Sequence, residues 1–406
     1  MRILVVPMEL PLPANHGGRI DVWRRLCLLH ARGHALALLS WQNLARDGDV
    51  APQPMAELDA VCAARHVSWI RRSPLETLRR AVRLPWLPSH AAVRWVTLDK
   101  AAALAWARHF APDVLLLDGL YGVAAARWLA RQLGVPWVYR SHNIEHVYMR
   151  QQRARAEGWR ARLGLAANLP GLRRLEEATV RDAACVFDIS PADAAHWRAR
   201  GHAHVHWLPT AVDAAFEAGV AQAATRPPDW DLAYFGNLNT PNNVEAVAWL
   251  VTEVLPLLPG RELRFVLAGS RPGAAVRRLA AADARITLLA DPPSVAAVAG
   301  AARVLVNPLQ AGSGVNLKSV EMLFSPAHLV STPAGVQGLT GAAAACFAVH
   351  ADAAGFAAAV HAGLQAPPVA AVLHERRAAR AAYAPAGIAA QLERALQPLV
   401  AARVQP

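Results

Sequence analysis

Short apolar runs alternate with longer segments of helical periodicity along most of this chain, and the pattern occurs twice. In the first half, the apolar runs predict strands at 2–7, 35–40, 113–117, 136–140, 185–190 and 204–208. In the second half, they predict strands at 231–235, 263–268, 285–289, 303–306, 328–332 and 346–349. Continuous apolar strands separated by helices are typical of a parallel sheet that is covered on both faces. The sequence therefore predicts an α/β protein of two doubly wound domains facing across a cleft.

The predicted helices lie between or after these strands. They span 18–32, 121–133, 172–184, 191–200, 243–257, 273–282, 294–301, 316–324, 353–365 and 386–401. Segment 41–112 gives no firm strand, and 209–230 is interpreted as an interdomain connection because it is rich in Ala, Pro and Thr. We predict a first domain at 1–210, a second at 211–385, and a C-terminal helix at 386–406 that packs back on the first domain.

The charge of the chain is unevenly distributed. The net charge is +12, and arginine is interleaved with Trp and Leu at 69–88 and 149–174. Such stretches are typical either of helices that lie on an anionic membrane surface or of an ordinary solvated basic face. No apolar run of about 18 residues predicts a transmembrane helix. Four scattered cysteines predict buried thiols in a reducing compartment. We therefore expect a cytoplasmic protein, with a peripheral position on the inner face of the membrane as a further hypothesis.

Residues 311–322, AGSGVNLKSVEM, hold an unusual lysine. The chain has 42 Lys and Arg residues, but only Lys100 and Lys318 are lysine. Lys318 falls in the first turn of a predicted helix, where a cation is unfavourable to the helix dipole by a few tenths of a kcal/mol. A phosphate bound by the preceding glycine turn and the helix N-terminus would reverse that effect. Glu321, one turn later, could accept the hydroxyls of a ribose. The alternative is an exposed Lys–Glu pair of little energetic value.

Other strand-end loops offer further candidates for a polar site. Gly17 and Gly18 open the first predicted helix, where the backbone can approach a ligand closely. His142 follows a predicted strand, and Gly236 ends the first strand of the second domain. The segment GSGVNLKS is not a P-loop, because Leu317 stands where that motif requires glycine. The sequence contains no metal-binding motif, so we predict no metal.

Four segments together resemble the retaining GT-B glycosyltransferases of the large group 1 family, along nearly the whole chain. The most specific is GSGVNLKSVEMLFSPAHLVSTPAGVQGL at 312–339, which resembles the donor-site segment of that family. PLPANHGGRIDVWRRLCLLHARGH at 11–34 resembles its N-terminal glycine loop and first helix. YRSHNIEH at 139–146 resembles the segment of the cleft histidine, and FGNLNTPNNVEAVAWLVTEVLPLL at 235–258 the start of the donor domain.

The resemblance implies two Rossmann-like domains, with a nucleotide-sugar donor held mainly by the second and an acceptor mainly by the first. It implies catalytic roles for His142 beside the transferred sugar, Lys318 beside the diphosphate and Glu321 at the ribose. The implied donor-binding residues are Gly17, Gly18, Gly236, Asn237, Arg271, Gly312, Ser313, Gly314, Val315, Asn316 and Leu317.

This chain departs from the family pattern at three places, one of which is FSPAHLVSTP at 324–333, where relatives commonly have an Ala/Gly-rich turn. Ser313 stands where relatives often have glutamate, and Asn237 and Asn242 stand near positions that often hold Arg and Lys. Lys318 and Arg271 are the candidates to replace those cations.

The function implied by the resemblance is a metal-independent, hexosyltransferase-type reaction with retention of configuration. It needs no cofactor beyond the nucleotide-diphosphate sugar and serves bacterial envelope or polysaccharide synthesis on a glycan or lipid-linked acceptor. A nucleotide-sugar epimerase of the same fold and an inactive GT-B partner protein are alternatives. Nucleic acid is not an expected partner, because charge alone favours it and no recognition motif supports it.

Overall fold

The computed structural model describes residues 1–44, 52–71, 73–156, 158–260, 262–311, 314–366 and 376–404. The chain divides into two compact units. The first contains residues 1–209 and 388–406, and the second contains residues 210–387.

In its described part, the first unit is built on a parallel sheet of seven strands. These are β1 (Arg2–Pro7), β2 (Ala35–Asn43), β3 (Ala64–Ile70), β4 (Val114–Asp118), β5 (Trp137–Ser141), β6 (Val186–Asp188) and β7 (Val205–Trp207), in the order β3-β2-β1-β4-β5-β6-β7. The central strands β1 and β4 are almost continuously buried, as apolar runs covered by helices on both faces should be.

Helices connect these strands. They are α1 (Gly17–Ala31), α2 (Pro52–Val61), α3 (Pro74–Arg83), α4 (Ser89–Thr97), α5 (Lys100–Phe110), α6 (Val123–Leu133), α7 (Glu145–Arg155), α8 (Trp159–Ala166), α9 (Leu172–Asp182) and α10 (Pro191–Arg198). A 3-10 turn at Leu120–Gly122 precedes α6. Local sequence defines where several helices begin: the Ser73 hydroxyl accepts from the Glu76 amide ahead of α3, and Pro74 occupies the first turn.

The second unit has a parallel sheet of six described strands. They are β8 (Trp230–Asn237), β9 (Phe265–Ser270), β10 (Ile286–Ala290), β11 (Ala302–Asn307), β12 (His328–Ser331) and β13 (Ala348–Val349), in the order β10-β9-β8-β11-β12-β13. The order reverses beside the first strand, which places the carboxyl ends of β8 and β11 next to each other.

The helices of this unit surround the sheet. They are α11 (Ala214–Ala223), α12 (Pro241–Trp249), α13 (Ala274–Ala281), α14 (Ala296–Gly300), α15 (Leu317–Met322), α16 (Pro333–Val336), α17 (Gly341–Ala344), α18 (Ala353–Gln365) and α19 (Arg377–Ala381), followed by α20 (Pro385–Val404). Helix α12 continues as a π turn at Leu250–Val254 and a 3-10 turn at Leu255–Leu257.

All twelve predicted strands are present, with ends shifted by a few residues, and the α/β prediction is confirmed. Strand β3 was missed. It lies at the edge of its sheet with mostly half-exposed side chains, so it lacks a continuous apolar run. The prediction of an irregular connection at 209–230 was wrong in part, because α11 forms there. The Asp213 carboxylate caps that helix by accepting from the Ala215 amide.

The C-terminal residues pack within the first unit. Glu393 accepts from Arg32 at 2.8 Å and contacts His34 at 3.0 Å, and Gln391 donates to the Trp207 carbonyl. All four cysteines are described, and none forms a disulfide bond; Cys62 and Cys185 are buried. Within the described ranges, no helix has both the length and the apolar character needed to cross a membrane.

Candidate functional site

In the second unit, two glycines let the carboxyl ends of β8 and β9 come together. Gly236 of β8 and Gly269 of β9 are partners in the ladder. A Cβ atom at Gly269 would lie 1.7 Å from the Gly236 carbonyl oxygen, so no other residue fits there. A Cβ at Gly236 would lie 3.2 Å from Lys318 Cε and 3.3 Å from its Nζ. The missing side chain at Gly236 therefore makes room for Lys318.

Lys318 is buried, and its amino group has no hydrogen-bond partner among the described residues. Its Nζ lies 3.8 Å from the centre of the Tyr234 ring, a cation–π contact. Burial lowers the pKa of Lys318 to about 7, and the negative charge of Glu321 opposes that shift. The exposed Lys–Glu pair that was the alternative prediction is therefore wrong, because the lysine side chain is buried.

A buried hydrogen-bond network holds the residue next to this lysine. Asn307, at the end of β11, donates from Nδ2 to the Ser319 hydroxyl at 2.7 Å. That hydroxyl donates to the Gly335 carbonyl at 2.6 Å. A Cβ atom at Gly335 would lie 2.2 Å from the Ser331 hydroxyl oxygen, so glycine is required for this close packing. The network fixes the start of α15, and Lys318 with it, against β11.

The glycine turn before α15 packs on the loop that follows α16. Gly314 has a φ of +70°, and a Cβ atom at Gly338 would lie 2.9 Å from the Gly314 carbonyl oxygen. Val315, Asn316 and Leu317 are half-buried. Asn316 precedes the helix without a side-chain capping bond. Of the predicted site residues, Gly312 and Ser313 lie outside the described residues.

Two other predicted donor-binding residues lie at the last position of β8 and directly after β9. The Asn237 carbonyl accepts from Asn243 Nδ2 at 2.8 Å, and Asn237 Oδ1 accepts from the Asn239 amide. Arg271 is exposed, and its backbone amide donates to Asp291 at 2.7 Å. Arg271 has a φ of +53°, which is uncommon for a residue other than glycine.

In the first unit, His142 belongs to a buried ionic cluster. Its Nε2 lies 2.6 Å from Asp118 Oδ1, and its Nδ1 lies 4.0 Å from Asp21 Oδ2. Arg25 NH2 donates to Asp118 at 2.7 Å and to Asp21 at 2.9 Å. Arg140 NH2 adds a longer contact of 3.4 Å to Asp21. Helix α1 thus supplies one carboxylate, Asp21, and one guanidinium, Arg25, to the ends of β4 and β5.

The charges of this cluster stabilise one another. Burial disfavours ionised carboxylates, but the opposing effects of Arg25, Arg140 and His142 hold the pKa of Asp21 well below its usual range. The pKa of Asp118 is also lowered: burial acts to raise it, and Arg25 and the bond to His142 outweigh that effect. Because Asp118 engages Nε2, a ligand would meet Nδ1, the ring edge or the backbone of His142.

The predicted glycine loop is more open. Gly17 is exposed and Gly18 is half-exposed, and a Cβ atom at Gly18 would meet only the His16 ring, at 3.6 Å. The space around Gly18 therefore does not require glycine.

Sequence reasoning missed four members of the ionic cluster: Asp21, Arg25, Asp118 and Arg140. A signal was present. Asp118 ends the run VLLLD, and Arg140 stands near the end of WVYRS, so each is the charged residue of an otherwise uncharged strand. Asp21 and Arg25 are four residues apart on α1 and share one face. Among the described residues, no group of three or more His, Cys, Asp or Glu side chains is arranged to hold a metal ion.

Comparison with known proteins agrees with this architecture. Residues 230–366 match the family described as glycosyl transferases group 1. A 44.6 kDa uncharacterised protein in the cps region of Klebsiella pneumoniae is 22% identical over 357 residues, 83% of this chain and 84% of that protein.

Solved structures match over nearly the full length. Sucrose-phosphate synthase from Thermosynechococcus elongatus has a TM-score of 0.66 at 18% identity, over 99% of this chain and 100% of that one. Anabaena HepE in complex with UDP-glucose has a TM-score of 0.62 at 14% identity, over 98% and 100%.

The predicted resemblance is therefore confirmed for the family over residues 230–366 and for the fold over nearly the full length. The region that matches the family begins with β8 and contains Lys318 and Glu321. The second unit of this chain thus matches the group 1 glycosyltransferases over residues 230–366, and the whole chain has the GT-B fold.

Proposed function

We propose that this protein is a retaining glycosyltransferase that moves a hexose from a nucleotide-diphosphate sugar, without a metal, to a glycan or lipid-linked acceptor. The observation that carries the proposal is the amino group of Lys318. It is buried at the strand ends of the family-matching unit and has no hydrogen-bond partner among the described residues. A donor diphosphate would supply the partner that this amine lacks.

The energetics favour an anionic ligand at this position. An ammonium group taken out of water without a partner costs several kcal/mol, and the group responds by lowering its pKa. The ring of Tyr234 compensates for only part of that cost. A diphosphate beside Nζ restores the charge and forms charge-assisted hydrogen bonds. Stabilisation of the leaving diphosphate is then the main contribution of the protein to catalysis.

The remaining roles follow the family pattern. Glu321 binds the ribose hydroxyls, and Gly236, Asn237, Arg271 and the turn from Gly312 to Leu317 surround the rest of the donor. From the first unit, His142 contacts the transferred sugar near Gly17 and Gly18. The leaving diphosphate assists deprotonation of the acceptor, so no separate side-chain base is assigned.

The acceptor belongs to bacterial envelope or polysaccharide synthesis. Support comes from the K. pneumoniae relative, which lies in a cps region. The two basic stretches fold largely as α3 and α7–α8 with many apolar side chains exposed, as expected for docking on an anionic membrane. We therefore place the protein in the cytoplasm, peripherally on the inner face of the membrane.

A screen of nucleotide sugars, beginning with UDP-glucose, tests this proposal. Thermal stabilisation and slow donor hydrolysis are measured for the wild type and for Lys318→Ala and Glu321→Ala. Lys100→Ala is the matched control, because Lys100 is the other lysine of the chain and also contacts an aromatic ring, that of Trp95 at 4.4 Å.

We expect the wild type and the control to bind and hydrolyse one nucleotide sugar, and both site variants to lose most of that activity. If no nucleotide sugar binds the wild type, the proposal fails. Binding without transfer to any glycan or lipid acceptor would favour an inactive partner protein instead.

A further inference from the structure

A cavity of about 840 Å³ lies in the first unit, at the carboxyl ends of β1, β2 and β3. Helices α3, α4 and α8 also line it. Residues of the two basic stretches, 69–88 and 149–174, both line this cavity. Ser89 and His90, which directly follow the first stretch, bond to the second: the Ser89 amide donates to the Ala167 carbonyl, and the His90 amide donates to Asn168 Oδ1 at 2.8 Å. None of the donor-binding residues that the structure describes lines this cavity.

The inner wall of the cavity has aromatic rings and a carboxylate. Tyr121 packs edge-on against the exposed His90 ring, with ring centroids 5.0 Å apart, and the buried Trp41 indole also lines the cavity. Glu76 lines the cavity with one carboxylate oxygen, Oε2, that is buried and has no hydrogen-bond partner among the described residues. Flat rings beside a carboxylate acceptor suit a sugar, which presents C–H faces and hydroxyl donors.

Three arginines lie on the same lining, and one of them, Arg94, donates to the carbonyls of Met8 and His90. Arg71 follows β3, and Arg80 projects from α3. Guanidinium groups bind phosphate oxygens in pairs of hydrogen bonds, so two of them suit a diphosphate better than a neutral glycan.

Apolar side chains are exposed on the helices that bound the cavity. Leu75, Leu78 and Val82 lie at i, i+3 and i+7 on one face of α3. Trp159 and Leu163 lie at i and i+4 on α8. These five side chains, with that of Trp86, are 55% to 69% exposed. We define these six residues as the apolar rim. An apolar surface flanked by arginine is the composition that inserts into a membrane interface.

We propose that the cavity binds the saccharide end of a membrane lipid whose sugar is joined to its hydrocarbon chain through a diphosphate. The inner wall holds the sugar, Arg71 and Arg80 hold the diphosphate, and the apolar rim lies in the membrane beside the hydrocarbon chain. The inference rests on the proposed function, because it makes this lipid the acceptor.

Binding of a short-chain analogue, glucosyl octyl diphosphate, tests the cavity by calorimetry. Octyl glucoside, which lacks the diphosphate, is the paired probe. We expect the diphosphate compound to bind at least about tenfold more tightly, since charge-assisted hydrogen bonds contribute about 1.5–3 kcal/mol. Arg80→Gln should weaken it about tenfold. The matched control is Arg79→Gln, the neighbouring arginine of α3, which does not line the cavity and should leave affinity within about twofold.

Equal affinity for the two probes, or equal losses in the two arginine variants, would overturn the inference.

The apolar rim is tested separately with vesicles of phosphatidylglycerol and phosphatidylcholine. The double variant Leu78→Gln/Leu163→Gln should lose vesicle binding but keep its affinity for the soluble probe. If the variant sediments with vesicles as the wild type does, the rim does not contact the membrane and the inference fails.

Binding of UDP-glucose is measured on the same samples to separate this inference from the proposed function. If the protein binds the nucleotide sugar but not glucosyl octyl diphosphate, the proposed ligand of the cavity is wrong and the proposed transferase function stands. If the protein binds glucosyl octyl diphosphate but not the nucleotide sugar, the donor assignment is wrong and the proposed ligand of the cavity stands.

Discussion

The two units place charged side chains at the ends of their parallel strands, but they satisfy those charges differently. In the first unit, Asp21, Arg25, Asp118 and His142 are buried together, and each contacts an oppositely charged or hydrogen-bonding neighbour. In the second unit, Lys318 is buried against the Tyr234 ring, without a hydrogen-bond partner among the described residues. The ionic cluster is complete within the described chain, whereas we propose that a ligand supplies the partner of Lys318.

This difference has opposite consequences for stability. Removal of one member from a paired, buried cluster leaves an uncompensated charge, which is strongly destabilising. Removal of a buried amine that has no hydrogen-bond partner removes its desolvation cost, so the free energy of unfolding of the ligand-free protein should not fall. The comparison therefore predicts that substitutions at the two sites change the free energy of unfolding in opposite directions.

The largest effect is expected for Asp118→Asn. The substitution keeps the shape of the side chain but removes the charge that faces Arg25 and His142, so we expect a loss of about 3–5 kcal/mol in the free energy of unfolding. Urea denaturation measures it. Asp182→Asn is the control, because Asp182 forms a half-exposed pair with Arg127 and should cost less than about 1 kcal/mol. Similar losses in the two variants would mean that the cluster is not energetically coupled.

The next effect is expected for Lys318→Met, which replaces the amine with an apolar chain of similar length. Without ligand, the free energy of unfolding should stay the same or rise by about 1 kcal/mol, since no hydrogen bond is lost and a desolvation cost is removed. The same denaturation experiment, with Lys100→Met alongside, checks this. A loss of more than about 2 kcal/mol would show that Lys318 is a structural cation with a stabilising partner.

A pH dependence of donor binding follows from the same lysine. Its pKa is lowered to about 7 by burial, so the amine is charged below pH 7 and neutral above it in the ligand-free protein. A bound diphosphate favours the charged form, and binding above pH 7 must therefore take up a proton. We expect affinity for UDP to fall by up to about tenfold per pH unit above pH 7, where the phosphates of UDP are fully ionised and only the lysine titrates.

Calorimetry at pH 8 in phosphate and in Tris measures the proton taken up. Lys318→Met should take up none. Uptake that is the same in the variant would assign the proton to another group.

The smallest effect concerns Glu145, a buried acid of the first unit that accepts a hydrogen bond from the Tyr121 hydroxyl. Burial raises the pKa of Glu145 to about 8, and the charge of Glu176 adds to that shift. Because the folded pKa lies above the unfolded value, this group stabilises the fold below about pH 4.5 and loses that contribution as the pH rises to about 8. Glu145→Gln should therefore gain stability relative to the wild type across this range, measured as Tm against pH. Parallel pH curves for the two proteins would contradict the raised pKa.

Much of the fold could be predicted from sequence because buried parallel strands are continuous apolar runs. The edge strand β3 was not predicted, because most of its side chains are half-exposed or exposed and its apolar run is broken by His66 and Ser68. Helix α11 was not predicted, because its many alanines give it no clear apolar face.

The candidate site was predictable only where composition marked it. Lys318 is distinctive in a chain that otherwise uses arginine, but its burial follows from the glycine at position 236, which only the packing reveals. The ionic cluster depends on pairing among α1, β4 and β5, residues up to 119 positions apart. The meeting of the two basic stretches at one cavity likewise depends on tertiary contacts.

We propose that Lys318, which has no hydrogen-bond partner among the described residues, gains one from a donor diphosphate. The most direct test is the ratio of affinities for UDP and uridine at pH 7, measured by calorimetry for the wild type and Lys318→Met. We expect the wild type to bind UDP about a hundredfold more tightly than uridine and the variant to lose most of this preference. A variant that keeps the wild-type preference for UDP would contradict it.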